Sequence, residues 1–302
     1  MATIHVPVLL KEVIEGLKVE TTSKPFWYLD GTLGGAGHAK AVAQAAKGNL
    51  KIVGLDRNII AIDEARETLK GTSEQLILAC DSFAHLDMVL DAEGISSVDR
   101  ILLDLGLSSD ELDNSGKGFS FQKDEPLLMT MGNPDTYPFT AHKIVNEWDE
   151  EVIANIIFGY GEDRFARRIA RSIVNYRTKK SIDTTHELAE IVKSSVPSFV
   201  RRGKIHPATK TFQALRIAVN DELNTLKEGL KKGYERLSPG GIMAVISFHS
   251  LEDRIVKEFY KSKTLAKEAT ATKKPITASE AEILNNPRSR SAKLRILEKK
   301  AE

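Results

Sequence analysis

Three aspartates each close a largely apolar run. Phe26 to Leu29 leads to Asp30, Ile52 to Leu55 to Asp56, and Ile101 to Leu103 to Asp104. After the first acid come Gly31, Gly34, Gly35 and Gly37, and then Ala39 to Ala46 reads as a helix. That is strand, glycine turn, helix. Glycine accepts positive φ and lets backbone approach a ligand closely. A helix N-terminus offers unpaired N–H groups and partial positive charge, so the turn suits a carboxylate or phosphate. Asp56 stands 22 residues after Gly34 at the end of the next strand. An acid there can accept both hydroxyls of a ribose. The plainer role for Asp56 is to start the helix Ile59 to Leu69, beside Asn58 as its cap.

The elements that must position these acids are strands of a doubly wound sheet. Lys51 to Asp56, Gln75 to Ala79, Asp99 to Asp104 and Ile242 to Phe248 read as further strands, with a last one at Ser291 to Leu297. Ligands of open α/β sheets bind outside the carboxyl ends of the strands. That rim also collects Ser108, Ser109 and His249. His249 has two equal readings, a neighbour of the reacting atoms or a cap for the helix Leu251 to Tyr260. Phe83, just past the third strand, can lie on a flat ring or simply close the core.

Between Glu111 and Ile205 the strand–helix rhythm stops. A long loop, Gly116 to Pro138, carries Phe119, Phe121, Met129 and Met131, and its apolar content predicts order. Helices follow at Glu147 to Phe158, Asp163 to Tyr176 and, from the capping pattern of Thr184 with Glu187, up to Val196. The stretch Glu162 to Lys180 has seven basic and two acidic residues, and Arg201, Arg202 and Lys204 follow. Two basic clusters in one insert predict a nucleic-acid surface. The α/β pattern returns at Pro207, with one long amphipathic helix expected over Thr211 to Lys232. The expected division is therefore 1–110 with 207–302 as one discontinuous domain and 111–206 as an inserted all-helical domain.

Composition narrows the classes. The chain has 302 residues, 41% hydrophobic and 28% charged, enough for a sizeable core. Net charge is +1, so any polyanion must be met by a local patch. A single cysteine, Cys80, excludes a disulfide framework and a cysteine-based zinc site, and its apolar neighbours predict a buried thiol. No metal-ligand cluster stands out. No stretch is long and apolar enough for a membrane span, and no signal peptide precedes the first helix. A cytoplasmic protein is expected.

The acid before the glycines disfavours a dinucleotide pyrophosphate at that spot. It suits the amino group of S-adenosylmethionine, whose carboxylate suits the following N–H groups. Pro239-Gly240-Gly241 before a late strand fits the same choice. The chemistry therefore favours an S-adenosylmethionine-dependent methyltransferase over a dehydrogenase.

The stretches His5 to Leu9, Asp30 to His38, Gly54 to Asp56, Asp104 to Ser109, Gly116 to Phe121, Gly161 to Ala170, His206 to Leu223, Ser247 to Ile255 and Asn286 to Arg295 carry a more specific likeness. Together they resemble the bacterial 16S rRNA cytosine-N4 methyltransferase family, RsmH, also called MraW. The resemblance implies a class I S-adenosylmethionine-dependent fold, Rossmann-like, with a mostly parallel seven-stranded sheet. It implies methylation of N4 of a cytidine in the decoding region of 16S rRNA, with the small ribosomal subunit as partner. It places Ala36, Gly37 and His38 at the methionine end of the cofactor, Asp56 at its ribose, Phe83 at its adenine side, and Asp104 at the adenine or methionine region. Glu111 stands where the family usually has Gln. Leu128 and Thr130 stand where the family loop usually carries Asp and Arg. That pair is either structural and lost together here, or part of RNA handling. Asp104, Ser108, Ser109 and His249 are the candidates for the catalytic neighbourhood. The other class is an assembly factor that holds S-adenosylmethionine or RNA without turnover.

Overall fold

The computed structural model describes residues 7–21, 24–47, 49–107, 112 and 114–301. The chain forms two compact units, Met1–Ser108 with Leu223–Glu302, and Ser109–Glu222.

The first unit is built on one mixed sheet. Its strands are β1 (Phe26–Asp30), β2 (Leu50–Asp56), β3 (Gln75–Cys80), β4 (Val98–Asp104), β5 (Leu237–Ser247), β6 (Ala269–Ala271), β7 (Ile276–Thr277) and β8 (Lys293–Lys299). The order is β3-β2-β1-β4-β5-β8-β6, with β7 also paired to β8. The first five are mutually parallel. β8 runs antiparallel to β5, and β6 and β7 each pair antiparallel with β8. Among the described residues the sheet has eight strands where seven were expected, because β7 adds a short pairing to β8 off the main path. Residues 261–272 complete the helix Ser250–Leu265 and supply β6.

Both sheet faces are covered, which is why the central strands are apolar throughout. On one face Val13 and Leu17, Ala39 and Val42, and Ile62 and Ala65 bring three helices onto Tyr28, Ile52 and Leu102. On the other, Leu86 and Leu90, Leu226 and Leu230, and Val256 and Tyr260 pack on Leu29, Val53, Ile101 and Val245. Cys80 corrects its expectation. It ends the edge strand β3 and is exposed. Among the described residues no helix is long and apolar enough to cross a membrane.

The second unit is helical, with helices at Ala141–Glu147, Glu150–Gly161, Ala166–Arg177, Thr185–Ser195, Ser198–Arg201 and Ala208–Asn220. Thr184 and Glu187 form the expected reciprocal cap. Gly159 to Gly161 are part of the helix Glu150–Gly161. A Cβ on Gly161 would sit 2.7 Å from the Lys210 carbonyl oxygen, so glycine here permits a close crossing with the helix Ala208–Asn220. The single helix expected over Thr211 to Lys232 is two helices. Asp221 takes φ 48, and the second unit ends beside this break, at Glu222 rather than at residue 206.

The loop Gly116 to Pro138 is ordered, as its apolar content predicts. Phe119, Leu127 and Met129 are buried, and the Asn220 side-chain amide donates to Met129 O and accepts from Met131 N. Phe121 packs edge-on to Phe212, with centroids 5.1 Å apart. Thr130 is fully buried, which favours a structural role for that position. Its Oγ1 has no hydrogen-bond partner among the described residues. Thr130→Val keeps the shape and removes an unsatisfied hydroxyl. It is expected to stabilise by about 1 kcal/mol, read as a rise in melting temperature. A fall would mean that the hydroxyl has a partner.

Candidate active site

The sheet order reverses between β1 and β4, and the crevice at such a point is where open α/β sheets take ligands. Asp30 ends β1 and Asp104 ends β4, on neighbouring parallel strands. The glycine turn leaves β1 here. Gly31 is pressed between Leu103 and Phe83, where a Cβ would lie 2.5 Å and 2.9 Å from side-chain carbons. Gly34 takes φ +48, and beside Gly34 and Gly35 there is open space. Ala36 holds a left-handed conformation, φ 59, at the start of the helix Gly37–Ala45. Among the described residues no side chain caps that helix, so its first-turn N–H groups are open to an acceptor. Gly37 is required by packing, since a Cβ would sit 2.6 Å from Cγ of Pro7.

The acids divide sharply. Asp30, expected to meet the amino group of a ligand, is buried and internally used. It accepts from the Tyr28 hydroxyl at 2.9 Å and from Thr32 N at 3.2 Å. Burial pushes it up to about 6, against the pull of His38 and the Tyr28 hydrogen bond. Asp104 is different. Its backbone N–H donates to Thr32 Oγ1, and its Oδ1 is buried with no partner among the described residues. Burial pushes Asp104 up to about 7, and the Glu252 carboxylate adds to the rise.

His38 lies against this carboxyl, Nδ1 to Oδ2 at 3.5 Å. Its Nε2 is 2.9 Å from Val8 O and donates to it, which leaves Nδ1 as the acceptor of a neutral ring. Burial holds His38 below the usual imidazole range. An acid moved up and an imidazole moved down thus face each other with one proton to share.

Asp56 accepts from Gly34 N and from Asn58 N, each at 2.8 Å, so it both ties down the glycine turn and starts the next helix. Burial pushes its carboxyl up. Asn58 is the cap, accepting from Ile60 N. Phe83 is half-buried rather than a free plate. It packs against Gly31 and against Gly229 of the helix Glu222–Arg236. His249 takes the capping role. Its Nδ1 accepts from Glu252 N at 3.3 Å, while Glu252 Oε2 accepts from the N–H groups of Phe248 and His249. Ser108, Ser109 and Glu111 lie outside the described residues.

The sequence reading missed Glu252, Thr32 and Tyr28. Glu252 had a signal, since His249-x-x-Glu252 has the spacing of a capping box with histidine in the place of serine. Thr32 and Tyr28 act through contacts that only the fold creates.

A model of the MraW methylase family matches residues 2–300. The chain belongs to the MraW methylase family. Among its relatives, "Ribosomal RNA small subunit methyltransferase H" of Brevibacillus brevis is 44% identical over 98% of this chain and 98% of its own length. The proteins of that name from Trichormus variabilis and from a Sulfurihydrogenibium species are each 47% identical. They cover 99% and 97% of this chain and 92% and 98% of their own lengths. The chain is a methyltransferase of class I architecture, and its cofactor is S-adenosylmethionine. The residues present fit that group. Open space beside Gly34 and Gly35, an uncapped helix start and the unpartnered Asp104 oxygen match a zwitterion carrying a further positive charge.

Proposed function

We propose that this chain methylates the exocyclic N4 of a cytidine in the decoding region of 16S rRNA, acting in the cytoplasm on the small ribosomal subunit. The observation that carries the reading is likeness along the whole chain, 44–47% identical, to relatives whose name is that of a small-subunit rRNA methyltransferase. The resemblance of the insert and the rim motifs to the cytosine-N4 family supports the choice of base.

In this reading the open N–H groups at Gly37 and His38 hold the cofactor's carboxylate, Asp56 its ribose, and Asp104 its positive charge. The cofactor supplies an electrophilic methyl group on a sulfonium. Phe83 bounds the adenine side. Asp30 stays out of contact and acts through Tyr28 and Thr32, fixing the turn. Ser108, Ser109 and Asp104 are the candidates to accept hydrogens of the amino group being methylated. Cytosine N4 has its lone pair drawn into the ring, so orientation of the amino group supplies much of the catalysis. The proton lost from N4 is acidic once the new bond forms, and water suffices to take it. His249 is assigned no proton transfer, because its Nδ1 is spent on the helix cap. The inserted unit is proposed to receive RNA, with the target base leaving its stack.

The test is complementation. A bacterial strain lacking its own enzyme of this kind is supplied with this chain, and decoding-region cytidines are examined by mass spectrometry. N4-methylcytidine restored by the wild type and lost with Asp104→Ala supports the reading. Restored ribosome assembly without the methyl group would favour the assembly-factor class.

A further inference from the structure

A second feature of the inserted unit is independent of the rim acids. The segment Ser198–Arg201 projects Phe199, which is 62% exposed. Its ring meets that of Phe165 edge-on, with centroids 6.4 Å apart. The guanidinium of Arg164 lies over both rings, 4.9 Å from the Phe165 centroid and 5.8 Å from that of Phe199. Phe165 is held from below, since its N–H donates to the buried Asp163 carboxylate at 2.8 Å. Arg201 and Arg202 follow Phe199 after Val200, and both are exposed. Among the described residues no carboxylate lies within ion-pairing distance of Arg164, Arg201 or Arg202.

The exposed Phe199 ring and the arginines, which have no carboxylate partner among the described residues, set a π-face beside positive charge. Two occupants would cover it. A second copy of this chain meeting the patch through a two-fold axis would press the same arginines together. A single-stranded nucleic acid satisfies both parts, because every base offers a π-face to the ring and every linkage offers a phosphate to the arginines. Charge complementarity therefore selects the nucleic acid. We infer that Arg164, Phe165 and Phe199 form a stacking platform for an unpaired nucleotide of the RNA substrate, with Arg201 and Arg202 on its phosphates. The inference rests on the reading of this chain as an RNA methyltransferase and adds where, and by what chemistry, its insert grips the RNA.

The probe is a single-stranded 12-mer RNA carrying 2-aminopurine, titrated into the full-length protein. The wild type is expected to quench the fluorescent base by stacking. Phe199→Ala should bind about tenfold more weakly and lose the quench, and Phe199→Trp should recover both. An Arg201→Ala, Arg202→Ala double variant should keep the quench and reduce the slope of log affinity on log salt by about 1.4. Equal affinity and equal quench for the wild type and Phe199→Ala would overturn the platform. So would an RNA affinity unaffected by Phe199→Ala in a variant whose self-association, read by sedimentation, has weakened. The same preparations are assayed for N4-methylcytidine on small subunits. Product from the wild type with an unaltered quench in Phe199→Ala defeats the platform alone. No product from the wild type defeats the proposed function.

Discussion

Asp104→Asn is expected to raise the melting temperature of the cofactor-free protein at pH 8 while weakening cofactor binding at least tenfold. The carboxyl stands at about 7 in the fold against an ordinary 3.8. A raised carboxyl contributes its full stability below the unfolded value and loses it as pH rises through the folded one. The wild type therefore carries a growing penalty from about pH 4 to pH 7, constant above that. Its size is on the order of 2–4 kcal/mol. Asparagine does not ionise, so the gap between variant and wild type should open over that window and close near pH 3. Cofactor affinity should move the other way. A cationic ligand favours the ionised acid, so wild-type affinity should climb between pH 6 and 8 and level off. The variant should bind at least tenfold more weakly, with a flat profile. Scanning calorimetry and titration calorimetry across pH read both halves. A variant less stable than wild type at pH 8 would show that the Asp104 charge is satisfied inside the protein.

Gly229→Ala is the second large effect. In an exposed helix this change would stabilise by about 1 kcal/mol. Here the new Cβ would sit 2.3 Å from Cδ2 and 2.6 Å from Cε2 of Phe83. The ring cannot retreat, because its own Cβ is held against Gly31. Overpacking of this kind costs about 1–3 kcal/mol. The melting temperature should fall, and cofactor affinity with it, since Phe83 and Gly31 bound the same turn. Adding Phe83→Ala should remove most of the clash, so the double variant should be less destabilised than the sum of the two single changes. Simple additivity would mean that ring and helix do not press on each other.

Much of this site was legible before the fold was known. The strand-ending acids, the glycine spacing and the apolar runs needed only periodicity and the chemistry of turns, and the acids do end parallel strands. Three things were not legible. Asp30 and Asp104 look alike in sequence, each an acid after an apolar run. The Tyr28 hydroxyl and the Thr32 N–H consume Asp30, while an oxygen of Asp104 has no partner among the described residues. The helix break at Asp221 carries no glycine or proline to announce it, and a left-handed aspartate is invisible to helical spacing. Cys80 read as buried because its neighbours are apolar, but strand order made β3 an edge.

The most direct test of the account is transfer of a labelled methyl group from S-adenosylmethionine to purified small ribosomal subunits lacking that modification. The rRNA is then digested to nucleosides and the label located by mass spectrometry. The account predicts label on N4 of a decoding-region cytidine with the wild type and none with Asp104→Ala. Label on another base or another ring position, or undiminished transfer by Asp104→Ala, would contradict it.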